Sequence, residues 1–220
     1  MKAFFKKIFS KESLLKFYRT YIWLMVLLFV VDIVTKWVVF NHYGAAQMEA
    51  SVHSDDPNVI TIIKNFVYIG GSLNQGAAFS FLYGQRVLLL LISLVMSGGF
   101  IAYYVIRYKH LTTIYKVALA LMITGGVGNL IDRAFYWPSI TGFAGVIDWI
   151  IFKFGATGGE FAMFNIADSC LVIGIIIIFI AIIIDEVKES KKRRAKGEYK
   201  YSPEELKKKE QEHNEGNKSE

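Results

Sequence analysis

Long apolar runs separated by shorter polar segments organise this chain. The first run covers about Tyr21 to Phe40 and the second about Val87 to Ile106. The third covers Ile114 to Ile131 and the fourth Phe164 to Ile184. Each approaches the ~20 residues a helix needs to cross a hydrocarbon core. The pattern predicts a membrane all-α protein of four transmembrane helices. Between the first two runs, Val59–Tyr68 is rich in β-branched and aromatic residues and too short to span as a helix. It reads as a pair of strands broken by Gly70-Gly71, a small β platform and loop lying on the outer membrane face. Three regions follow: a basic segment over 1–20, a four-span domain over 21–184 and a charged tail over 185–220. The early tail extends the fourth helix, and its end has a disordered composition.

Charge then orients the spans. Lys2, Lys6, Lys7, Lys11, Lys16 and Arg19 precede the first run. Arg107, Lys109 and Lys116 surround the turn between the second and third, and Lys188, Lys191, Lys192, Arg193, Arg194 and Lys196 follow the fourth. The other two connections hold only Lys64 and Arg86, and Arg133 and Lys153. Basic and basic-poor segments alternate, which predicts both termini in the cytoplasm of a multi-pass protein. The same distribution turns a net charge of +6 into a topology signal and contact with membrane lipids rather than nucleic acid. A cleaved signal peptide would also begin basic then apolar, and Gly44-Ala45-Ala46 mimics a cleavage site. The run is too long for one and carries Asp32 and Lys36, so it reads as a retained span.

Cys170 is the single cysteine, which excludes an internal disulfide framework and fits a small buried apolar residue. His42, His53, His110 and His213 lack ligand spacing, so a zinc site is not expected, and the acid–base hydrolysis considered below calls for no cofactor.

Polar groups inside apolar spans cost about 2.5–3.5 kcal/mol each on insertion scales and mark candidate sites. On the predicted topology they converge on one depth. Asn129, Asp132 and Arg133 end the third span on one helical face. Asn165 and Asp168 open the fourth, Asp148 lies between the two, and Asp32 and Lys36 fall in the outer half of the first. Gly125, Gly126 and Gly128 allow a close neighbour just before Asn129. Asp32 and Lys36, at i and i+4, read as a buried ion pair, and Asp132–Arg133 fits an interfacial pair as well as a site. Asp148 and Asp168 lack a basic neighbour at helical spacing and resist such readings. Two carboxyls in a low-dielectric site share a proton, so one can activate water while the other polarises a carbonyl. Asn129, Arg133 and Asn165 would supply donors.

Motifs sharpen this. The chain carries Asp32-Ile-Val-Thr-Lys36, Asn74-Gln-Gly-Ala-Ala-Phe-Ser80, Gly128-Asn-Leu-Ile-Asp-Arg133, Val146-Ile-Asp148 and Phe164-Asn-Ile-Ala-Asp168. In order and type they resemble the lipoprotein signal peptidases (signal peptidase II) from about Asp32 to Ile173. The resemblance implies an aspartic endopeptidase with Asp148 and Asp168 as the catalytic pair. It implies a site lined by Asn74, Asn129, Arg133 and Asn165, with Asp32, Lys36 and Asp132 in support. It also implies substrates, bacterial prolipoproteins with diacylglycerol on the cysteine, cut just before that cysteine in the cytoplasmic membrane. Trp149 replaces the usual Phe, Ala162 and Met163 stand where a Pro is common, and 134–145 is lengthened. An ion-coupled carrier would place its acids at mid-membrane and often show a repeat. A hydrolase built on Ser80 and Lys36 would leave Asp148 and Asp168 unexplained.

Overall fold

The computed structural model describes residues 20–76, 82–135, 145–154, 159–195, 204, 207 and 208. The basic start over 1–19, Ser80 and its neighbours, most of the lengthened connection with Trp137 and Pro138, and the tail's end lie outside them.

Four helices carry the apolar runs: α1 (Ile22–Ala50), α2 (Arg86–Arg107), α3 (Thr113–Ala134) and α4 (Ile166–Ala195). All four are long and apolar enough to cross a membrane. Large apolar side chains point outward on them, Val95 at 70% and Ile106 at 76% exposure. In water such a surface would drive association, whereas hydrocarbon solvates it. α3 is the exception, with half of its apolar stretch buried. The helix whose run is most interrupted by glycine and polar residues is therefore the central one.

α1 runs past the predicted end at Phe40 to Ala50, with a break at Gly44 (φ 76°). The fourth run begins two residues late because Phe164 closes a strand and α4 starts at Ile166.

The β element is larger than predicted. Strands β1 (Ile60–Ile63), β2 (Val67–Asn74), β3 (Val146–Lys153) and β4 (Glu160–Phe164) form one antiparallel sheet in the order β1-β2-β3-β4. Gly70-Gly71 does not break β2. The strand continues to Asn74, and its register with β3 shifts between Ile69 and Ser72. There Val52 crosses, its N–H donating to the Gly71 carbonyl at 2.7 Å. A side chain at Gly70 would occupy the place of the Val52 carbonyl oxygen. Tyr43, Met48, Val52 and Ile147 form a core cluster where the end of α1 meets the sheet.

The chain divides into two compact units, Met1–Ile178 and Phe179–Glu220. Every residue of the candidate site belongs to the first. In the second, Arg193 pairs with Glu189 at 2.5 Å one helical turn away. Both side chains are about half exposed, so this pair adds little stability.

Candidate active site

Asn165 is the joint between sheet and helix. It follows β4 and precedes α4, so its side chain is free to cap the new helix. Its Oδ1 accepts the Asp168 N–H at 2.8 Å, and Asp168 Oδ2 accepts the Asn165 N–H at 3.2 Å. This reciprocal pair is a capping box with aspartate in the third position. It fixes Asp168 in the first turn of α4, where the helix dipole favours an anion.

The same Asn165 reaches Asp148. Its Nδ2 donates to Asp148 Oδ1 at 2.7 Å, with the Ile147 carbonyl at 3.3 Å and Asn129 Oδ1 at 3.2 Å. Asp148 stands on β3 opposite Ser72 of β2. The pleat therefore sends Ser72, Asn74 and Asp148 to one face. Asn74 Nδ2 donates to Asp148 Oδ2 at 2.9 Å, while Asn74 Oδ1 accepts the Gly76 N–H at 2.9 Å. Gly145 precedes β3 at φ 97°, and a Cβ there would fall 2.5 Å from the Asn74 carbonyl oxygen. Only glycine satisfies both conditions.

α3 supplies the remaining wall. Asn129 Nδ2 donates to Asp168 Oδ1 at 2.6 Å. Arg133 donates from Nη1 to the Asn129 carbonyl and from Nη2 to the Gly76 carbonyl, both at 3.2 Å. Its Nε–H is buried and has no partner among the described residues. Asp132 does not pair with Arg133. It turns to Lys36, whose Nζ lies 2.8 Å from Asp132 Oδ2 and 2.7 Å from Asp32 Oδ2. The predicted ion pair of α1 is thus a trio with a second acid from α3. Lys36 also donates to Asn129 Oδ1 at 3.3 Å, and Asp32 Oδ1 accepts the Ala167 N–H at 2.9 Å. Asp32 therefore caps α4 from another helix.

Every site residue expected from the sequence falls in one connected set. Asp148 and Asp168 line a common cavity of about 400 Å³ with Asn74, Asn129 and Arg133. Burial, then the nearby Asp168 charge, raises the Asp148 carboxyl well above the ordinary range. The amide donors of Asn74 and Asn165 oppose that rise without cancelling it.

Close packing at the glycines sets the α3–α4 distance. A Cβ on Gly125 would overlap the Ala167 carbonyl oxygen and stand 2.7 Å from Leu171 Cγ. Gly125→Ala should push the first turn of α4 away. It should cost about 1–3 kcal/mol of stability by overpacking. A 1 Å shift of Asp168 should lower turnover about 10²-fold, read as rate per folded enzyme. Unchanged turnover would mean that this contact does not position Asp168.

The sequence reading missed some members. His53 Nδ1 lies 2.6 Å from Glu160 Oε2, and the Ser54 N–H also meets the Glu160 carboxylate. Burial raises that carboxyl, but these two donors outweigh it and hold it below its usual value. The pair ties the segment after α1 to the start of β4, at the rim of a more polar cavity of about 770 Å³ that reaches Asp148. No spacing rule links residues so far apart. Ser97 on α2 was also missed.

The signal peptidase (SPase) II family model matches residues 24–184. A lipoprotein signal peptidase of Bacillus pumilus is 39% identical over 131 residues, which cover 59% of this chain and 78% of that protein. One of Bacillus subtilis is 32% identical over 173 residues, covering 79% of this chain and 99% of that protein. The fold is similar to that of a solved bacterial membrane enzyme, with TM-score 0.60 and 27% identity over 76% of this chain and 89% of that one.

Proposed function

The chain belongs to the signal peptidase II family, and on that premise we propose that Asp148 and Asp168 are the pair through which it cleaves prolipoproteins. The enzyme is a multi-pass membrane aspartic peptidase. The observation that carries the proposal is the shared Asn165. One amide side chain contacts Asp148 through Nδ2 and the Asp168 backbone through Oδ1. Two acids held on one amide act as a unit.

The pair shares one proton, and in the step proposed here it starts on Asp148, whose carboxyl burial and the Asp168 charge raise. Asp168 takes a proton from water as the water oxygen attacks the scissile carbonyl. Asp148 donates to the carbonyl oxygen, giving a tetrahedral diol. Collapse breaks the C–N bond, protonates the cysteine amine and returns the dyad to its starting state. The unpartnered Arg133 Nε–H is a donor for the substrate backbone beside the bond. The substrate carries diacylglycerol on its cysteine, and the apolar wall of the cavity, with Ile92, Met96, Leu171 and Ile175, suits such a group. A gel-shift assay with purified protein in detergent tests the reading. The lipidated prolipoprotein should lose its signal peptide, and the unlipidated form should not.

Both termini lie in the cytoplasm and the site lies near the outer face, in contact with membrane lipid. Phe66 in the β1–β2 turn, Phe154 just past β3 and Phe161 on β4 are exposed and cluster ring to ring, an apolar surface that suits contact with the membrane. Reporter fusions at Glu49 and Glu160 should report the outside, and fusions at His110 and Lys200 the cytoplasm. A cytoplasmic signal at Glu160 would remove the basis for an outer-face site.

A further inference from the structure

Ser97 is the one buried hydroxyl without a hydrogen-bond partner among the described residues. It is 2% exposed, lies midway along α2 and lines the cavity that holds Asp148 and Asp168. A serine in a helix ordinarily returns its hydroxyl to the preceding turn. Thr124 of α3 does so, donating to the Ala120 carbonyl at 2.9 Å. Ser97 does not, and a buried donor left unsatisfied is costly unless something else completes it.

Its position indicates what completes it. A Cβ on Gly126 would fall 2.7 Å from Ser97 Oγ, so Ser97 sits level with Gly126. Gly126 precedes Asn129 by three residues on α3, about 4.5 Å along the axis. Ser97 is therefore one helical turn further from the sheet than the Asn129–Asp168 contact. Apart from Ser93 one turn earlier on the same helix, the wall around it is apolar: Ile92, Met96, Phe100, Leu171, Val172 and Ile175. An occupant of that level is mostly hydrocarbon with an acceptor near its polar end. The diacylglyceryl group has that composition. Its ester carbonyls hang a few single bonds from the cysteine whose amide is cut, and acyl chains follow them.

We propose that Ser97 donates its hydroxyl hydrogen bond to an ester carbonyl of the substrate's diacylglyceryl group, making it a specificity residue for acyl over alkyl lipid. This rests on the prolipoprotein reading of the same cavity. No covalent step is involved.

The test uses the full chain in detergent and two synthetic prolipoprotein peptides. One carries 2,3-diacyloxypropyl on the cysteine sulfur, the other 2,3-dialkoxypropyl, which lacks both carbonyls. Ser97→Ala should lower kcat/KM on the diacyl peptide about 2- to 10-fold, the loss of one neutral hydrogen bond. On the dialkyl peptide it should change nothing. Its melting temperature should be equal or higher, because the removed oxygen has no partner in the free protein. Equal loss on both peptides, or loss on neither, would overturn the assignment. A destabilised variant with proportional loss on both would make Ser97 a packing residue and overturn it too. If the unsubstituted chain leaves the diacyl peptide uncut while binding it, the function reading itself fails, and this inference with it.

Discussion

Asp148→Asn and Asp168→Asn are each expected to abolish prolipoprotein cleavage, by ~10³-fold or more, in protein that still folds and binds substrate. Asparagine matches aspartate in shape but exchanges no proton near neutral pH. Every oxygen of the pair now receives an N–H: Asp148 from Asn74 and Asn165, Asp168 from Asn129 and the Asn165 backbone. An asparagine turns one of its own N–H groups against one of these donors. That clash costs about 1–3 kcal/mol locally, too little to unfold a four-helix core. The double variant should be no slower than either single one, because groups that act as one unit are not additive. Measurable cleavage by Asp168→Asn would defeat the aspartic mechanism.

The pH–rate profile adds a sign. The active form holds one proton on the pair, and both limbs belong to the pair rather than to either residue. Burial and the neighbouring charge raise Asp148, so the alkaline limb should lie well above the ordinary carboxylate range. Asn74 donates to the Asp148 carboxylate and so favours its ionised form. Asn74→Ala removes that donor, and the alkaline limb should move further up. A limb that moves down would place the titrating group elsewhere.

The sequence made the spans legible because about 20 apolar residues in a row have few other destinations. It made the acids legible because a charge at the edge of such a run needs a reason. What it concealed is pairing. Asp132 and Arg133 are neighbours in sequence, yet consecutive helical positions point about 100° apart, and Asp132 turned to Lys36 of α1. β3 and β4 were passed over although Val146–Lys153 is β-branched and aromatic. Asp148 interrupts its apolar pattern, and the run invites a search for chemistry before a search for a strand. Gly70-Gly71 misled in the opposite direction. Glycine marks a close backbone approach as readily as a break, and here Val52 is the approaching chain. Ser97 carries no sequence signal, since a serine in an apolar helix is ordinary until its missing partner is seen.

Lys36→Met should be the most destabilising single change in the molecule. Lys36 is fully buried, and its ammonium meets Asp32, Asp132 and Asn129 Oδ1 at 2.7, 2.8 and 3.3 Å. Those are as many partners as an ammonium has hydrogens. Methionine fills much of the same volume but leaves two buried acids without a counter-charge, a loss of about 3–5 kcal/mol. Asp32→Asn should cost less. Lys36 keeps Asp132, and the amide oxygen can still accept the Ala167 N–H that Asp32 now caps at 2.9 Å. Stability should therefore rank unsubstituted protein above Asp32→Asn and Asp32→Asn above Lys36→Met, by thermal unfolding in detergent. Turnover should rank differently. Asp32 is not among the residues lining the cavity shared by Asp148 and Asp168, so folded Asp32→Asn should cut substrate within a few-fold of the unsubstituted rate. The contrast with Asp168→Asn is the decisive comparison, since one variant should lose protein and keep rate and the other keep protein and lose rate. A fully stable Asp32→Asn with no turnover would move Asp32 from the support of α4 into the reaction itself.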